Sequence, residues 1–236
     1  KDQKVRLSLF DPVSGERWIE SMDPISLGQL NGLLYERWIE TRRVLVDSLS
    51  HGTLGYVHVQ GMGDGSFRKT FSEIFGRQVE KKALIVDTRF NGGGWLHDDL
   101  ARLLSGTDYA WMLPRGQKVG KEPQDRWTKP VVVVMGEANY SDAHFFPYTF
   151  SALKIGKTVG MPVPGTATAV WWEGLQDPSL VFGIPQVGIL DFDGNFLENQ
   201  QLEPDYKVKN DPGSIAQGRD KQIEKAVQVL MEQVER

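Results

Sequence analysis

Three loops, each following an expected strand, hold residue types able to do chemistry: glycines whose N–H groups can receive an anion, a serine at a helix start and a loop carboxylate. The first is Asp87-Thr-Arg-Phe-Asn-Gly-Gly-Gly-Trp95. Glycines at 92, 93 and 94 just before a helix admit positive φ angles and let N–H groups approach a ligand oxygen without a Cβ in the way, so an anion or oxyanion fits there. A plain β-α turn needing flexible geometry accounts for the glycines as well. They fail as a dinucleotide fingerprint, because His97 stands where the third glycine is required, and no Walker lysine follows. The second loop, Gly136-Glu-Ala-Asn-Tyr-Ser-Asp142, sets Ser141 at a strand-turn-helix junction, where the helix N-terminus favours developing negative charge. Ser141 reads equally as an N-cap, with Asp142 the acidic residue expected in any first turn. The third, Phe196 to Asp205, carries Glu198, which by itself reads as a solvated loop carboxylate.

None of the four histidines is an obvious base. His51 sits at a helix end, His58 alternates along a strand, His97 begins a helix, and His144 lies one helical turn after Ser141 without having to reach its hydroxyl. His97-Asp98-Asp99 makes a poor metal site, since adjacent helical residues face different ways. No metal and no cofactor is expected.

The elements that must carry these loops are legible as periodicity. Val5 to Phe10 and Arg17 to Met22, joined by Asp11–Gly15, read as a hairpin. Leu30, Leu34, Trp38, Leu45 and Leu49 mark one stripe of a long helix over Leu27 to Leu49, with a boundary at Pro24–Ser26 before it. Strands at Gly55 to Gln60, Ala83 to Arg89 and Val131 to Met135 alternate with helices at Ser66 to Glu80, from Gly94 to Ser105, and at Tyr140 to Leu153. The nearly continuous apolar strands are those of a sheet covered on both faces. A strand at Lys157 to Met161, short strands from Trp171 to Leu190 and an amphipathic helix over Ile223 to Val234 follow.

Composition narrows the function. With 27 basic against 31 acidic residues and a net charge of -4, nucleic acid is a poor partner. No apolar run approaches the ~20 residues a membrane helix needs, so no membrane insertion is expected. The absence of Cys excludes disulfides and a thiol nucleophile but leaves cytoplasm and bacterial periplasm both open. The sequence begins at Lys1 rather than Met and reads as a processed or truncated chain.

Four segments in one order, Gly-Tyr-Val-His-Val, Leu-Ile-Val-Asp-Thr-Arg-Phe-Asn-Gly-Gly-Gly, Val-Met-Gly-Glu-Ala-Asn-Tyr-Ser-Asp and Leu-Glu-Asn-Gln-Gln-Leu-Glu-Pro-Asp, resemble the tricorn protease family, within the tail-specific or carboxyl-terminal processing serine peptidases. The similarity runs from about Leu27 to Val234. It implies an α/β fold, a ClpP/crotonase-like ββα superhelix core over residues 27–236, with residues 1–26 the last strands of a PDZ domain. It implies Ser141 as nucleophile, the N–H groups of Gly94 and Asp142 as oxyanion donors, Glu198 as the acidic support, and Gly93, Trp111 and Met112 on the substrate side. The apolar pair at 111–112 implies neutral or hydrophobic substrate side chains.

The resemblance leaves the base unassigned. Thr166 falls about where tail-specific relatives carry a base Lys, and tricorn-like enzymes take a His from a segment ahead of the PDZ domain. The chain therefore reads as a C-terminal catalytic core whose base lies upstream and whose isolated peptidase activity is weak, with His144 the fallback. Its partner is a peptide or unfolded protein, and a homo-oligomer is compatible. Two alternatives stand beside this: a degenerate module that binds peptide without cleaving it, and a crotonase-like acyl-CoA enzyme, which would not need Ser141.

Overall fold

The computed structural model describes residues 4–235, and the chain divides into two compact units, Lys1–Thr41 and Arg42–Arg236. In the first, β1 (Val5–Phe10) pairs antiparallel with β2 (Arg17–Met22), Val5 opposite Met22 and Phe10 opposite Arg17. Asp11 makes the reversal, its carboxylate accepting from the Val13 N–H and the Ser14 hydroxyl. Helix α1 (Leu27–Leu49) opens with a capping box: Ser26 Oγ accepts from the Gln29 N–H, and the Gln29 side-chain oxygen accepts from the Ser26 N–H. The division between the units falls inside α1, beyond the Pro24–Ser26 stretch at which the sequence suggests a boundary.

The second unit is α/β. In chain order it contains β3 (Leu54–His58), α2 (Asp64–Phe75), β4 (Ala83–Asp87), α3 (His97–Leu104), a short antiparallel pair β5 (Ala110–Met112) and β6 (Gly120–Glu122), then β7 (Val131–Met135) and α4 (Asp142–Ala152). After these come β8 (Lys157–Gly160), an antiparallel hairpin of β9 (Ala169–Gly174) and β10 (Val181–Val187), β11 (Tyr206–Lys207), α5 (Pro212–Ala216) and α6 (Lys221–Val234). The short β5–β6 pair and the five-residue α5 lie below the length at which periodicity reveals an element.

Strands β11, β8, β7, β4 and β3 form one sheet in that order, every neighbouring pair parallel. All residues of β3, β4 and β7 are buried, which is why β4 up to Val86 and the whole of β7 are continuous apolar runs and not alternations. On one face Leu84, Val86, Val131 and Val133 join Leu100 of α3 and Phe146 and Phe150 of α4 in a single core. Because successive side chains point to opposite faces, Ile85, Val132 and Val134 turn the other way. There α6 packs across β7, β4, β8 and β3 with Ile223, Ala226 and Leu230 buried. Full burial of each such aliphatic side chain contributes about 1.5–3 kcal/mol.

At the carboxyl end of β4, Arg89 is buried among acids. Its guanidinium donates to both oxygens of Asp87, with Nη2 2.6 Å from Oδ2, and Nη1 lies 3.0 Å from Asp220 Oδ2 and 2.8 Å from Gln222 Oε1. Asp220 is the N-cap of α6, accepting from the Ile223 N–H, so this cluster ties the end of β4 to the start of the helix that covers the sheet. Strands β4 and β7 are parallel neighbours, and the loops leaving their carboxyl ends emerge side by side.

Candidate active site

The turn after β4 is held from three sides. Asn91 Nδ2 donates to the Val59 carbonyl, Asn91 Oδ1 accepts from the Gly93 N–H, and the Asn91 carbonyl accepts from the Tyr140 N–H of the next loop. Met62 then pairs with the turn as a strand would, its N–H donating to the Gly93 carbonyl and its carbonyl accepting from the Trp95 N–H. Gly93 and Gly94 sit at φ 94° and 144°, and a Cβ on Gly94 would lie 2.0 Å from the Met62 carbonyl oxygen. Only glycine fits that approach.

The turn after β7 places Ser141 at the N-cap position of α4, but its hydroxyl makes no capping bond. Its backbone is strained instead, at φ 55° and ψ −122°, a region a non-glycine residue occupies only when its surroundings impose it. Those surroundings are visible. The Ser141 N–H donates to Thr166 Oγ1 at 2.9 Å, its carbonyl accepts from the His144 N–H, and Asn139 Nδ2 bridges to Thr88 Oγ1 and the Ala143 carbonyl. Of the two roles open to this serine, the geometry sets aside the side-chain cap.

The two turns meet. A Cβ built on Gly93 would stand 2.7 Å from Ser141 Cβ and 3.1 Å from the Asp142 nitrogen. Among the described residues neither the Gly94 N–H nor the Asp142 N–H meets an acceptor. Two unengaged donors therefore flank one half-buried hydroxyl at the wall of a cavity of about 640 Å³. An added Cβ at Gly93 would push the two turns apart.

Glu198 also lines this cavity and is not the solvated carboxylate its loop suggests. Its Oε2 accepts from the Ala167 N–H, the Thr168 N–H and Thr168 Oγ1, each at 2.8 Å, which braces the segment that carries Thr166. Nothing local in the sequence announces that bracing; its partners lie some thirty residues away. Among the described residues no side chain is hydrogen-bonded to the Ser141 hydroxyl. His144 is buried, its Nδ1 accepts from the Thr166 N–H at 3.2 Å, and burial holds its pKa below the usual histidine value against the pull of the Glu198 carboxylate. His51 is exposed at the end of α1, and His58 is buried with Nε2 3.0 Å from the Arg89 carbonyl. His97 pairs with the Asp142 carboxylate.

Trp111 and Met112 stand on β5, outside the walls of this cavity. The segment between α3 and β7 folds on itself, and the Lys118 and Lys121 ammonium groups lie over the Trp111 ring at 4.5 and 5.0 Å. The cavity's apolar lining includes Val170 and Trp172 of β9, Pro185 of β10 and Ile189. No cluster of His, Asp and Glu suited to a metal occurs among the described residues, and no helix there is long and apolar enough to cross a membrane.

A parallel α/β core that joins a glycine turn to a serine at a helix start is an arrangement able to support acyl transfer. The chain belongs to peptidase family S41, whose sequence model matches residues 53–208. It is 27% identical over 201 residues to the tricorn protease of Thermoplasma acidophilum, covering 85% of this chain and 19% of that protein. To tricorn protease homolog 1 of Streptomyces coelicolor it is 30% identical over 212 residues, covering 89% and 20%. The crystal structure of the tricorn protease superposes with a TM-score of 0.85 at 24% identity, over 99% of this chain and 22% of that one, and shows the shared fold. The chain thus spans about a fifth of the length of these relatives.

Proposed function

We propose that Ser141 is the nucleophile of this peptidase and that the N–H groups of Gly94 and Asp142 hold the oxyanion. The observation that carries the reading is the strained Ser141, free of any capping bond, set against two donors that have no acceptor. The Ser141 oxygen attacks the scissile carbonyl carbon, forming a C–O bond while its proton passes to a base, and the carbonyl oxygen takes the negative charge between the two N–H groups. Collapse breaks the C–N bond, the amine leaves with the proton, and water then releases the acyl group by the same steps in reverse. The substrate is a peptide or unfolded segment laid in the cavity. We place the general base outside residues 4–235, because His144 is engaged at Nδ1 and resists protonation. Glu198, with one oxygen fully engaged on the 167–168 backbone, supports the apparatus from the cavity wall. A second reading, a cavity that binds peptide without cutting it, draws on the same lack of a base at the hydroxyl.

In the protein complete with the base proposed outside residues 4–235, reaction with a fluorophosphonate followed by peptide mapping is expected to place the label on Ser141. A label on another serine, or peptide binding with neither label nor hydrolysis, overturns the assignment.

A further inference from the structure

Catalysis as proposed uses the backbone N–H of Asp142 and leaves its carboxylate unexplained. That carboxylate is buried and fully occupied. Oδ2 accepts from the Leu96 N–H and, at 3.1 Å, from the His97 N–H, and Oδ1 accepts from His97 Nδ1. The His97 ring is fixed in turn, with its centroid 4.2 Å from that of Phe145 and 5.4 Å from that of Trp95, which meets it edge-on. An ordinary helix cap is local, yet here Leu96, the N-cap of α3, makes no side-chain bond and the acceptor comes from 46 residues along the chain. Leu96 lies two residues beyond Gly94, so a short closed circuit runs from the Gly94 N–H through Trp95 and Leu96, across the carboxylate, and back to the Asp142 N–H.

We propose that the Asp142 carboxylate and the His97 imidazole are positioning residues that set the separation of the two oxyanion donors by locking the start of α3 to the start of α4. The inference rests on Ser141 being the nucleophile. Neither side chain touches substrate. Their effect is confined to the tetrahedral state, because a donor displaced by a fraction of an ångström matters where charge develops and little where a neutral carbonyl rests.

The test compares a tetrahedral ligand with a ground-state one. An acetylated tripeptide boronic acid accepts the Ser141 oxygen at boron, the hydroxyl proton going to solvent, and tetrahedral boron is followed by ¹¹B NMR. The matching product peptide reports ground-state binding. Asp142→Ala is expected to weaken the boronate about 30-fold or more while product affinity moves less than about 3-fold. Asp142→Asn, which still accepts from both amides and can donate to His97 Nδ1, should stay within about 5-fold of wild type. His97→Phe keeps a ring between Trp95 and Phe145, loses only the Nδ1 bond, and should weaken the boronate about 5- to 10-fold; it carries the test if Asp142→Ala does not fold. Wild-type boronate affinity in D142A or H97F, or equal losses for both ligands, overturns the clamp. Wild-type boronate affinity in S141A overturns the nucleophile assignment, and the clamp with it.

Discussion

Replacing Ser141 with alanine, in the protein complete with the base proposed outside residues 4–235, is expected to lower kcat/KM for peptide hydrolysis by roughly 10⁴–10⁶-fold, as losses of a serine nucleophile do elsewhere. The same substitution should leave stability within about 0.5 kcal/mol, the range of changes that break no packing or capping contact. The pairing of these two numbers makes the experiment decisive. A serine that served as an N-cap would cost about 1 kcal/mol on truncation, with activity falling only as far as the helix start moved. Here the hydroxyl makes no capping bond, and the strained backbone is held by the Ser141 N–H to Thr166 Oγ1 and by the carbonyl to the His144 N–H, neither of which the variant removes. Residual turnover should reflect the Gly94 and Asp142 donors acting on a water. Urea denaturation beside steady-state kinetics gives both quantities, and activity within tenfold of wild type, or a loss of 1 kcal/mol or more in stability, would refute the role.

The parts of this architecture written in local sequence are those whose causes are local. The Val131–Met135 run and β4 from Ala83 to Val86 are apolar throughout because both sheet faces are covered, and Ile223, Ala226 and Leu230 repeat at the spacing of the stripe α6 buries. The serine and glycine loops stand out for the same reason: a helix start and a close backbone approach each restrict residue type. What sequence could not supply depends on partners distant in the chain. Glu198 reads as solvated until its donors at 167 and 168 are in place. Ser141 reads as a cap until its φ is known. Trp111 and Met112 stand on β5, which pairs with β6, a contact no periodicity in three-residue strands announces, and Val170, Trp172 and Pro185 of β9 and β10 line the cavity. Asp142 passed as an ordinary first-turn acid, and only the fold brings its carboxylate to the amides of Leu96 and His97.

Arg89→Met is expected to lower the unfolding free energy by about 3–5 kcal/mol, the usual cost of removing one partner from a buried ion pair. For a chain of this size that is a fall in Tm on the order of 10 °C. The charge left behind decides the magnitude. Asp220 keeps Arg42 Nε at 3.5 Å, whereas Asp87 is fully buried and relies on Arg89 and on the Tyr56 hydroxyl, which donates to it at 2.9 Å. In the wild-type protein burial pushes the Asp87 carboxyl up, but the Arg89 guanidinium overcomes it and holds the group below the usual aspartate value. A depressed carboxylate contributes stability that is present above its unfolded pKa and lost as pH falls through the folded one. Without Arg89 the sign reverses: burial alone raises the folded value, so the variant is penalised at neutral pH and the penalty shrinks as Asp87 takes up a proton. The gap between wild type and variant should therefore be widest near pH 7 and narrow steadily toward pH 4. Arg89→Met combined with Asp87→Asn, which keeps the oxygen that accepts from Tyr56 and removes the stranded charge, should recover more than half of the loss. Thermal unfolding across that pH range tests each step. A gap that does not change with pH, or a double variant no more stable than R89M, would mean that the cost lies in lost packing at the end of β4 and not in the unpaired carboxylate.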